Sequence, residues 1–301
     1  MNAQGGAVDN TKVFIVGCAR SGTTWTRAIL AEHPAVVSGH ESHLFDVLYD
    51  ALRAPGRRTQ WRASVLRRFD HRAAVGRAEF GDTGPYKWVD RETLERLLDD
   101  AIDAKLEGDP AAREVMEGVL DAFYLRKGGR PGGVLVEKTP RHLFYAPQIL
   151  SWWPEARIVE LVRDGRDVCV SFEHKSRFEA WAPAEREPQI RRWVKDVRKG
   201  MELRADPSAA GRWLTVRYED LAGHGIHEVS RLYDFIGLSH DGDAIDRVVE
   251  ATAIENARQP GNEHHIRKGV VGDWHNHFSD DDRRLFDDLA GDLMTTLGYE
   301  R

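Results

Sequence analysis

The chain has 301 residues, and its shares of 41% hydrophobic and 31% charged residues are ordinary for a soluble globular enzyme. Its formal net charge of −6 argues against nucleic acid as the main partner, because binding a nucleic-acid backbone requires a basic surface. The two cysteines, Cys18 and Cys169, form no disulfide framework and no metal-ligand pattern, and the 13 histidines show no zinc-binding spacing, so we expect no metal.

Residues 1–11 are polar and lack the apolar segment of a signal peptide or membrane anchor. No run of apolar residues approaches the roughly 20 that a membrane span needs. We interpret 1–11 as a mobile tail in front of a single domain over 12–301. We expect a cytoplasmic protein, with a homodimer left open.

Four short runs rich in β-branched and aromatic residues predict buried strands at 11–16, 134–137, 157–162 and 213–218. Helical periodicity predicts helices at 23–32, 92–106, 111–127, 143–152, 168–177, 189–204, 228–236 and 279–298. Strands alternating with helices predict an α/β fold, a single domain with a central parallel sheet and helices on both faces. Both signals are weak over 53–91, and we interpret 53–130 as a helical insert.

A phosphate-binding loop is predicted at 17–25, GCARSGTTW, because this run directly follows the first strand and opens the first helix. In that context backbone N–H groups and the positive end of the helix form an anion site. Gly17 and Gly22 permit the tight turn, and Arg20 adds a permanent positive charge. Hydroxyl groups come from Ser21, Thr23 and Thr24.

The spacing of the two glycines matches the P-loop of nucleotide triphosphatases, but Thr23 and Thr24 replace the Lys-Ser/Thr pair of that loop. A loop without the lysine should handle the phosphates of a different donor. A P-loop small-molecule kinase is therefore the second hypothesis for function, and a non-catalytic nucleotide-binding module is the third. A glycine turn that binds no ligand is the remaining alternative.

The run R-S-G-T-T-W at 20–25 resembles the 5′-phosphosulfate loop of sulfotransferases, which use 3′-phosphoadenosine-5′-phosphosulfate (PAPS) and release adenosine 3′,5′-bisphosphate (PAP). Cytosolic sulfotransferases have lysine at the first position, whereas tyrosylprotein and carbohydrate-modifying Golgi types often have arginine, as Arg20 is here. The resemblance implies transfer of a sulfuryl group from PAPS to a hydroxyl or amine by in-line displacement. It also implies that Trp25 stacks on the adenine; a core tryptophan is the alternative.

A second segment, V-R-D-G-R-D-V-C-V-S at 162–171, follows the predicted strand at 157–162. A strand-end arginine, Arg163, and a helix hydroxyl, Ser171, can converge at the carboxyl edge of the sheet, where open α/β sheets bind ligands. The segment is similar to the 3′-phosphate-binding segment of both sulfotransferase branches, which implies that Arg163 and Ser171 hold the 3′-phosphate. A surface turn at 164–166 is the alternative.

A third segment, R-K-G-V-V-G-D-W at 267–274, resembles the closing segment of the cytosolic branch. The resemblance implies that Arg267, Lys268 and the Gly269 amide clamp the 3′-phosphate. A solvated basic loop is the alternative. Tyr218 matches a tyrosine that approaches the adenine in that family.

Sulfuryl transfer requires a base for the acceptor's proton and positive groups for the negative charge that develops in the transition state. Arg20 and Lys138 are the candidates for the positive groups. Lys138 lies in E-K-T-P at 137–140, which resembles the K-T-H of the cytosolic branch. Pro140 stands where that branch has its catalytic histidine, so the base must be another residue.

Glu41 is the preferred base, since it follows Arg20 by 21 positions, the offset of the glutamate thought to act as base in tyrosylprotein sulfotransferases. A carboxylate in that role needs desolvation or a neighbouring like charge to raise its pKa. His142 is the rival base. His40 and His43 flank Glu41 and could tune or replace it. A solvent-facing helix glutamate is the alternative interpretation.

The acceptor is expected to be a small molecule, a sugar or a peptide, bound by the insert 53–130, the segment after Ser171 and the loop before Arg267. Aromatic side chains would suit a ring or a sugar face. Those available in the first two segments are Trp61, Phe80, Tyr86, Trp88, Phe178 and Trp181. Eight arginines and one acid between 53 and 77 indicate a basic mouth or, as we prefer, a solvated pair of helices.

Overall fold

The computed structural model describes residues 8–53, 58–79, 83–253 and 269–300, without the side chains of 58, 59 and 77–79. Within these residues the chain forms five strands: β1 (Asn10–Gly17), β2 (Val36–Ser38), β3 (Gly133–Lys138), β4 (Arg157–Val162) and β5 (Trp213–Arg217). The α-helices are α1 (Thr23–Ala31), α2 (Asp50–Leu52), α3 (Arg58–Glu79), α4 (Arg91–Asp103), α5 (Gly108–Arg126), α6 (Ala146–Trp152), α7 (Gly165–Ser176), α8 (Arg186–Arg204), α9 (Tyr218–Gly223), α10 (Gly225–Ile236), α11 (Gly242–Ala251) and α12 (Asp280–Thr296). A π-helix covers Phe45–Tyr49, and 3-10 turns cover Pro85–Lys87, Pro140–Tyr145, Pro207–Ala209 and Asp273–Asn276.

The strands form one parallel sheet in the order β2-β3-β1-β4-β5, which places β1 at its centre. Successive side chains of a strand point to opposite faces, and those of β1 enter two separate cores. Val13 and Ile15 pack with side chains of α1, α10 and α11, whereas Phe14 and Val16 pack with side chains of α3 to α6. Helices therefore cover both faces, and the predicted α/β fold class is confirmed.

Several element boundaries differ from the predicted ones for local reasons. The strand pattern misses β2, since three residues give no readable alternation. β1 begins at Asn10, inside the segment predicted as a tail. α7 begins at Gly165 rather than 168, because the Asp164 carboxylate caps it by accepting from the Arg166 N–H at 2.8 Å. The predicted helix 143–152 is a 3-10 turn followed by α6, whose first turn contains a proline.

The carboxyl ends of β1, β3 and β4 lie side by side at one edge of the sheet. The segment after β1 leads into α1, that after β3 into the turn Pro140–Tyr145, and that after β4 into α7. The three segments singled out between residues 17 and 171 therefore meet at this edge. None of the helices in the described part of the chain is long and apolar enough to cross a bilayer.

Candidate active site

A cavity of about 1190 Å³ opens at the carboxyl edge of the sheet. The predicted site residues that line it include Arg20, Thr24, Glu41, Lys138, Arg163 and Ser171. Its volume exceeds the roughly 300–1,000 Å³ of a pocket for one drug-sized ligand. The cavity therefore has room for two reactants side by side.

The phosphate loop is built on two glycines that no other residue could replace. Gly17 has φ 135°, and a Cβ there would lie 2.5 Å from the backbone oxygen of Leu161. Gly22 has φ 100° and lies under the ring of Tyr218, so a Cβ would lie 2.5 Å from that ring. α1 starts directly after Gly22 with no side-chain cap and no acid in its first turn. Its positive end is therefore presented to the cavity.

Arg20 and Ser171 meet although 151 residues separate them, since Arg20 Nε donates to Ser171 Oγ at 3.0 Å. Arg20 has φ 75°, a left-handed conformation that directs the loop toward α7. Ser21 behaves differently from its neighbours: its side chain is fully buried, lies outside the cavity lining and has no hydrogen-bond partner among the described residues. The Ser21 N–H donates to the Cys18 oxygen at 3.2 Å, so this residue stabilises the turn of the loop.

Arg163 lies against Tyr218, with its guanidinium carbon 4.1 Å from the ring centroid. Its Nη2 donates to the backbone oxygen of Val270 at 3.0 Å, and its buried Nε has no partner in the described structure. Tyr218 Oη donates to the Gly269 oxygen at 2.7 Å. These contacts bring Arg163, Tyr218 and Gly269 together as the sequence predicts, whereas Arg267 and Lys268 lie outside the described residues.

Trp25 combines features of both interpretations that the sequence allowed. Its Nε1 donates to the Thr252 oxygen at 2.7 Å, which fixes the indole to the end of α11. The ring lines the cavity and meets Tyr218 edge to face at a centroid distance of 5.5 Å. Trp25 is therefore anchored in the fold and still presents a surface to a ligand.

Glu41 and Lys138 form the charged centre of the cavity. Lys138 Nζ donates to Glu41 Oε1 at 2.5 Å and to Thr24 Oγ1 at 3.1 Å, and the lysine side chain is nearly buried. Burial alone would raise the pKa of Glu41, but Lys138 and then His43 outweigh it, so the pKa lies well below its usual range. This is the opposite of the raised pKa that the role of base requires, and the local sequence does not reveal the lysine contact that causes it.

His43 lies on the other side of Glu41. Its Nε2 is 3.2 Å from Glu41 Oε2, and its Nδ1 is 3.1 Å from Asp46 Oδ2. Burial alone would lower the pKa of His43, but hydrogen bonds to Asp46 and Glu41 outweigh it and raise the pKa. Asp46 Oδ1 in turn accepts from Arg141 Nε at 2.9 Å. Charges thus alternate from Lys138 to Arg141, and His43 orients the Glu41 carboxylate.

A sequence model described as the sulfotransferase family matches residues 12–242, about three quarters of the chain. The chain belongs to this family. A putative protein-tyrosine sulfotransferase of Caenorhabditis briggsae is 26% identical over 303 residues, covering 96% of this chain and 89% of that protein. Mouse sulfotransferase 1B1 is 26% identical over 214 residues, covering 57% of this chain and 69% of that protein.

Solved sulfotransferases share the fold. Mouse sulfotransferase SULT7A1 complexed with PAP superposes with a TM-score of 0.54 at 15% identity, covering 94% of this chain and 84% of that one. The sulfotransferase domain of the Synechococcus PCC 7002 olefin synthase gives a TM-score of 0.55 at 21% identity, covering 100% and 98%. The single α/β domain with its parallel sheet is therefore the sulfotransferase fold.

His142, the rival base, does not reach the cavity of this sulfotransferase. Its ring is fully buried, and its Nδ1 lies 2.8 Å from Oε2 of Glu137, which is buried as well. Glu137 Oε1 also accepts from the Ser42 and Thr139 hydroxyls at 2.6 Å. Burial alone would raise the pKa of Glu137, but His142 and these hydroxyls outweigh it and lower the pKa. The pair fixes the loop that carries Glu41.

Most of the aromatic residues predicted to bind the acceptor do not line the cavity. Trp61 and Trp88 belong to the core, and Trp88 stacks on Phe123 with ring centroids 4.0 Å apart. Tyr86 and the exposed Phe178 lie outside the cavity lining, and Phe80 lies outside the described residues. The aromatic rings on this side of the cavity are those of Phe144, Tyr145 and Trp181. Only Trp181 was predicted.

The arginine-rich run lies mainly on one helix, α3, rather than on a pair of helices. Of its described arginine side chains, Arg53, Arg67 and Arg68 are exposed. Arg53 pairs with Asp109 at 2.8 Å and Arg62 with Asp99 at 2.6 Å. Among the described arginines of this run, Arg72 lines the cavity. Among the described residues no cluster of three or more His, Cys, Asp or Glu side chains suits a metal ion.

Proposed function

We propose that this sulfotransferase takes a sulfuryl group from PAPS and transfers it by in-line displacement to a hydroxyl or amine of an acceptor. Lys138 carries the proposal, since its ammonium group contacts both the phosphate loop and Glu41. One cation therefore joins the donor end of the cavity to the candidate base. Both relatives described above are named as sulfotransferases, and one of the solved structures contains PAP.

The donor end of the cavity fits a nucleotide with phosphates at both its 5′ and 3′ positions. The loop amides, Arg20 and Thr24 would hold the 5′-phosphosulfate. Arg163 and Ser171 would hold the 3′-phosphate. The buried Nε of Arg163, which has no partner among the described residues, would donate a hydrogen bond to it. Trp25 would cover the adenine. Arg267, Lys268 and Gly269 remain proposed ligands from the family resemblance.

Glu41 would act as the base and Lys138 with Arg20 as the positive groups. The acceptor oxygen bonds to sulfur while the bond from sulfur to the phosphate oxygen breaks, PAP departs, and the acceptor proton passes to Glu41. Lys138 and Arg20 then stabilise charge on the transferred group and the leaving phosphate. When Lys138 turns toward these anions, its ion pair with Glu41 weakens. Burial then raises the pKa of the Glu41 carboxylate, which makes Glu41 a stronger base.

The second hypothesis, a P-loop kinase, is not favoured. Thr23 stands where such a loop has its lysine, and the chain belongs to the sulfotransferase family. A cytoplasmic location remains a proposal, supported by the free, buried thiols of Cys18 and Cys169. A homodimer and a small-molecule, sugar or peptide acceptor also remain proposals.

The 3′-phosphate site gives the first testable result. Saturating PAP should raise the melting temperature by about 4 °C, since a ligand at 100 times its Kd adds about 2.7 kcal/mol of stability and a chain of 301 residues gains about 1.6 °C per kcal/mol. Adenosine 5′-phosphate, which lacks the 3′-phosphate, should add about 1–2 °C at the same concentration. A thermal-shift assay measures both. Equal stabilisation by the two nucleotides would remove the case for Arg163 and Ser171 as phosphate ligands.

A further inference from the structure

The wall of the cavity formed by α7, α8 and the turn Pro140–Tyr145 carries five cationic side chains, and three of them are neutralised. Arg141 pairs with Asp46 at 2.9 Å. Lys175 and Arg191 form ion pairs with the acids four residues away, Glu179 at 2.6 Å and Glu187 at 2.7 Å. These three charges are already compensated within the protein.

Arg192 and Lys195 are the two remaining cations of this wall. Neither has a carboxylate within 4.0 Å in the described part of the chain, and the spacing of three residues on α8 places them on one helix face. Among the described residues, Arg192 Nη1 donates to the Trp181 backbone oxygen at 3.3 Å. Within the described residues neither cation is therefore in a direct ion pair, and the buried Asp196 carboxylate interacts with both charges at longer range.

Aromatic rings hold both cations in place. The Arg192 guanidinium carbon lies 5.3 Å from the ring centroid of Trp181, and Lys195 Nζ lies 5.2 Å from that of Phe144. Such contacts orient a cation without neutralising it. Trp181, Phe144, Arg192 and Lys195 all line the cavity, so the wall combines apolar ring surface with positive charge.

Asp196 ties this face of α8 to the phosphate loop. It is buried, lines the cavity and lies next to the Cys18 thiol, two residues before Arg20. Arg192 lies one helical turn, about 5–6 Å, before Asp196. Asp196 contributes one negative charge against the two positive charges of Arg192 and Lys195, which leaves this face with a net positive charge close to the site of transfer.

We propose that Arg192 and Lys195 bind an anionic group of the acceptor, a carboxylate or an ester of sulfate or phosphate, while its aromatic ring packs against Trp181 and Phe144. The acceptor is accordingly a small hydroxylated aromatic acid. This inference rests on the proposed sulfuryl transfer, since it concerns the acceptor end of the same cavity. A guanidinium suits this role, because it binds planar anions through paired hydrogen bonds.

The test compares para-hydroxyphenylacetate with its neutral methyl ester. Affinities are measured by ligand-observed NMR titration at low salt, first without nucleotide and then with saturating PAP. The wild-type protein should bind the acid about tenfold more tightly than the ester, as expected for one charge-assisted hydrogen bond. In the Arg192→Gln/Lys195→Gln variant this ratio should fall to near one, through loss of acid binding with the ester little changed.

Arg198→Gln is the matched control, because it removes the same charge from an exposed position of α8 outside the cavity lining. It should keep the tenfold ratio. Lys195 is exposed, so Lys195→Gln alone keeps the fold and should lower the ratio about threefold. A wild-type ratio near one, or a tenfold ratio that survives in the double variant, overturns the anionic subsite. Failure of PAP to bind would instead contradict the proposed function, and the ratio measured without nucleotide keeps the two outcomes separate.

Discussion

Replacing Glu41 by glutamine should lower turnover by about 10²–10⁴-fold, the usual contribution of a positioned general base. Glutamine keeps the shape of the side chain and can still accept from Lys138, so affinity for PAP should stay within a few-fold of wild type. Steady-state rates at saturating PAPS give the first quantity, and calorimetry with PAP gives the second. The least acidic available acceptor should be used, since a phenol near its pKa needs a base less than an alcohol does.

Glu179→Gln is the control for this experiment, because it neutralises another carboxylate of the cavity lining that pairs with a lysine. It should retain turnover within a few-fold. His142→Ala should keep much of its turnover, apart from losses due to weaker packing around Glu137. A folded but inactive His142→Ala protein beside a nearly wild-type Glu41→Gln protein would transfer the role of base to His142.

Arg20→Ala should also cause a large loss of turnover, about 10²–10³-fold at saturating donor, because it removes a positive group that faces charge developing in the transition state. Arg163→Ala should act differently. It should weaken PAP binding by about 10- to 100-fold, as expected when a buried charged contact to a phosphate is removed. Rapid-quench measurement of the chemical step, together with calorimetry, separates the two effects.

Arg191→Ala is the control for the two arginine variants, since Arg191 lines the cavity but is exposed and paired with Glu187. Both its chemical step and its PAP affinity should stay within a few-fold of wild type. If Arg163→Ala slowed the chemical step at saturating donor as much as Arg20→Ala, the division into transfer and anchoring roles would be incorrect.

The sequence predicted well where the phosphate loop and Arg163 lie in the fold, because both belong to short segments fixed to strand ends. The loop 17–25 lies between β1 and α1, and Arg163 follows β4, so their places at the carboxyl edge follow from the order of elements. The short β2 gave no periodic signal. Its place at the sheet edge depends on pairing with β3, which is a property of the whole fold.

The aromatic residues that line the cavity were predicted poorly, because burial of an aromatic ring depends on long-range packing. Trp88 and Phe144 are equally aromatic in the sequence, yet Trp88 stacks in the core on Phe123 while Phe144 faces the cavity. The direction of the Glu41 pKa shift also could not be predicted from the local sequence. Its direction is set by Lys138, 97 residues away in the chain, which only the assembled sheet brings to the carboxylate.

Calorimetry with PAP set against ATP plus magnesium tests most directly whether this cavity binds a 3′-phosphorylated sulfuryl donor. PAP should bind at least about 100-fold more tightly than ATP with magnesium, because the extra contacts of a 3′-phosphate are worth about 2.7 kcal/mol or more. Arg163→Ala should remove most of that preference. Tighter binding of ATP with magnesium, or equal binding of the two nucleotides, would contradict the account and return the kinase hypothesis to first place.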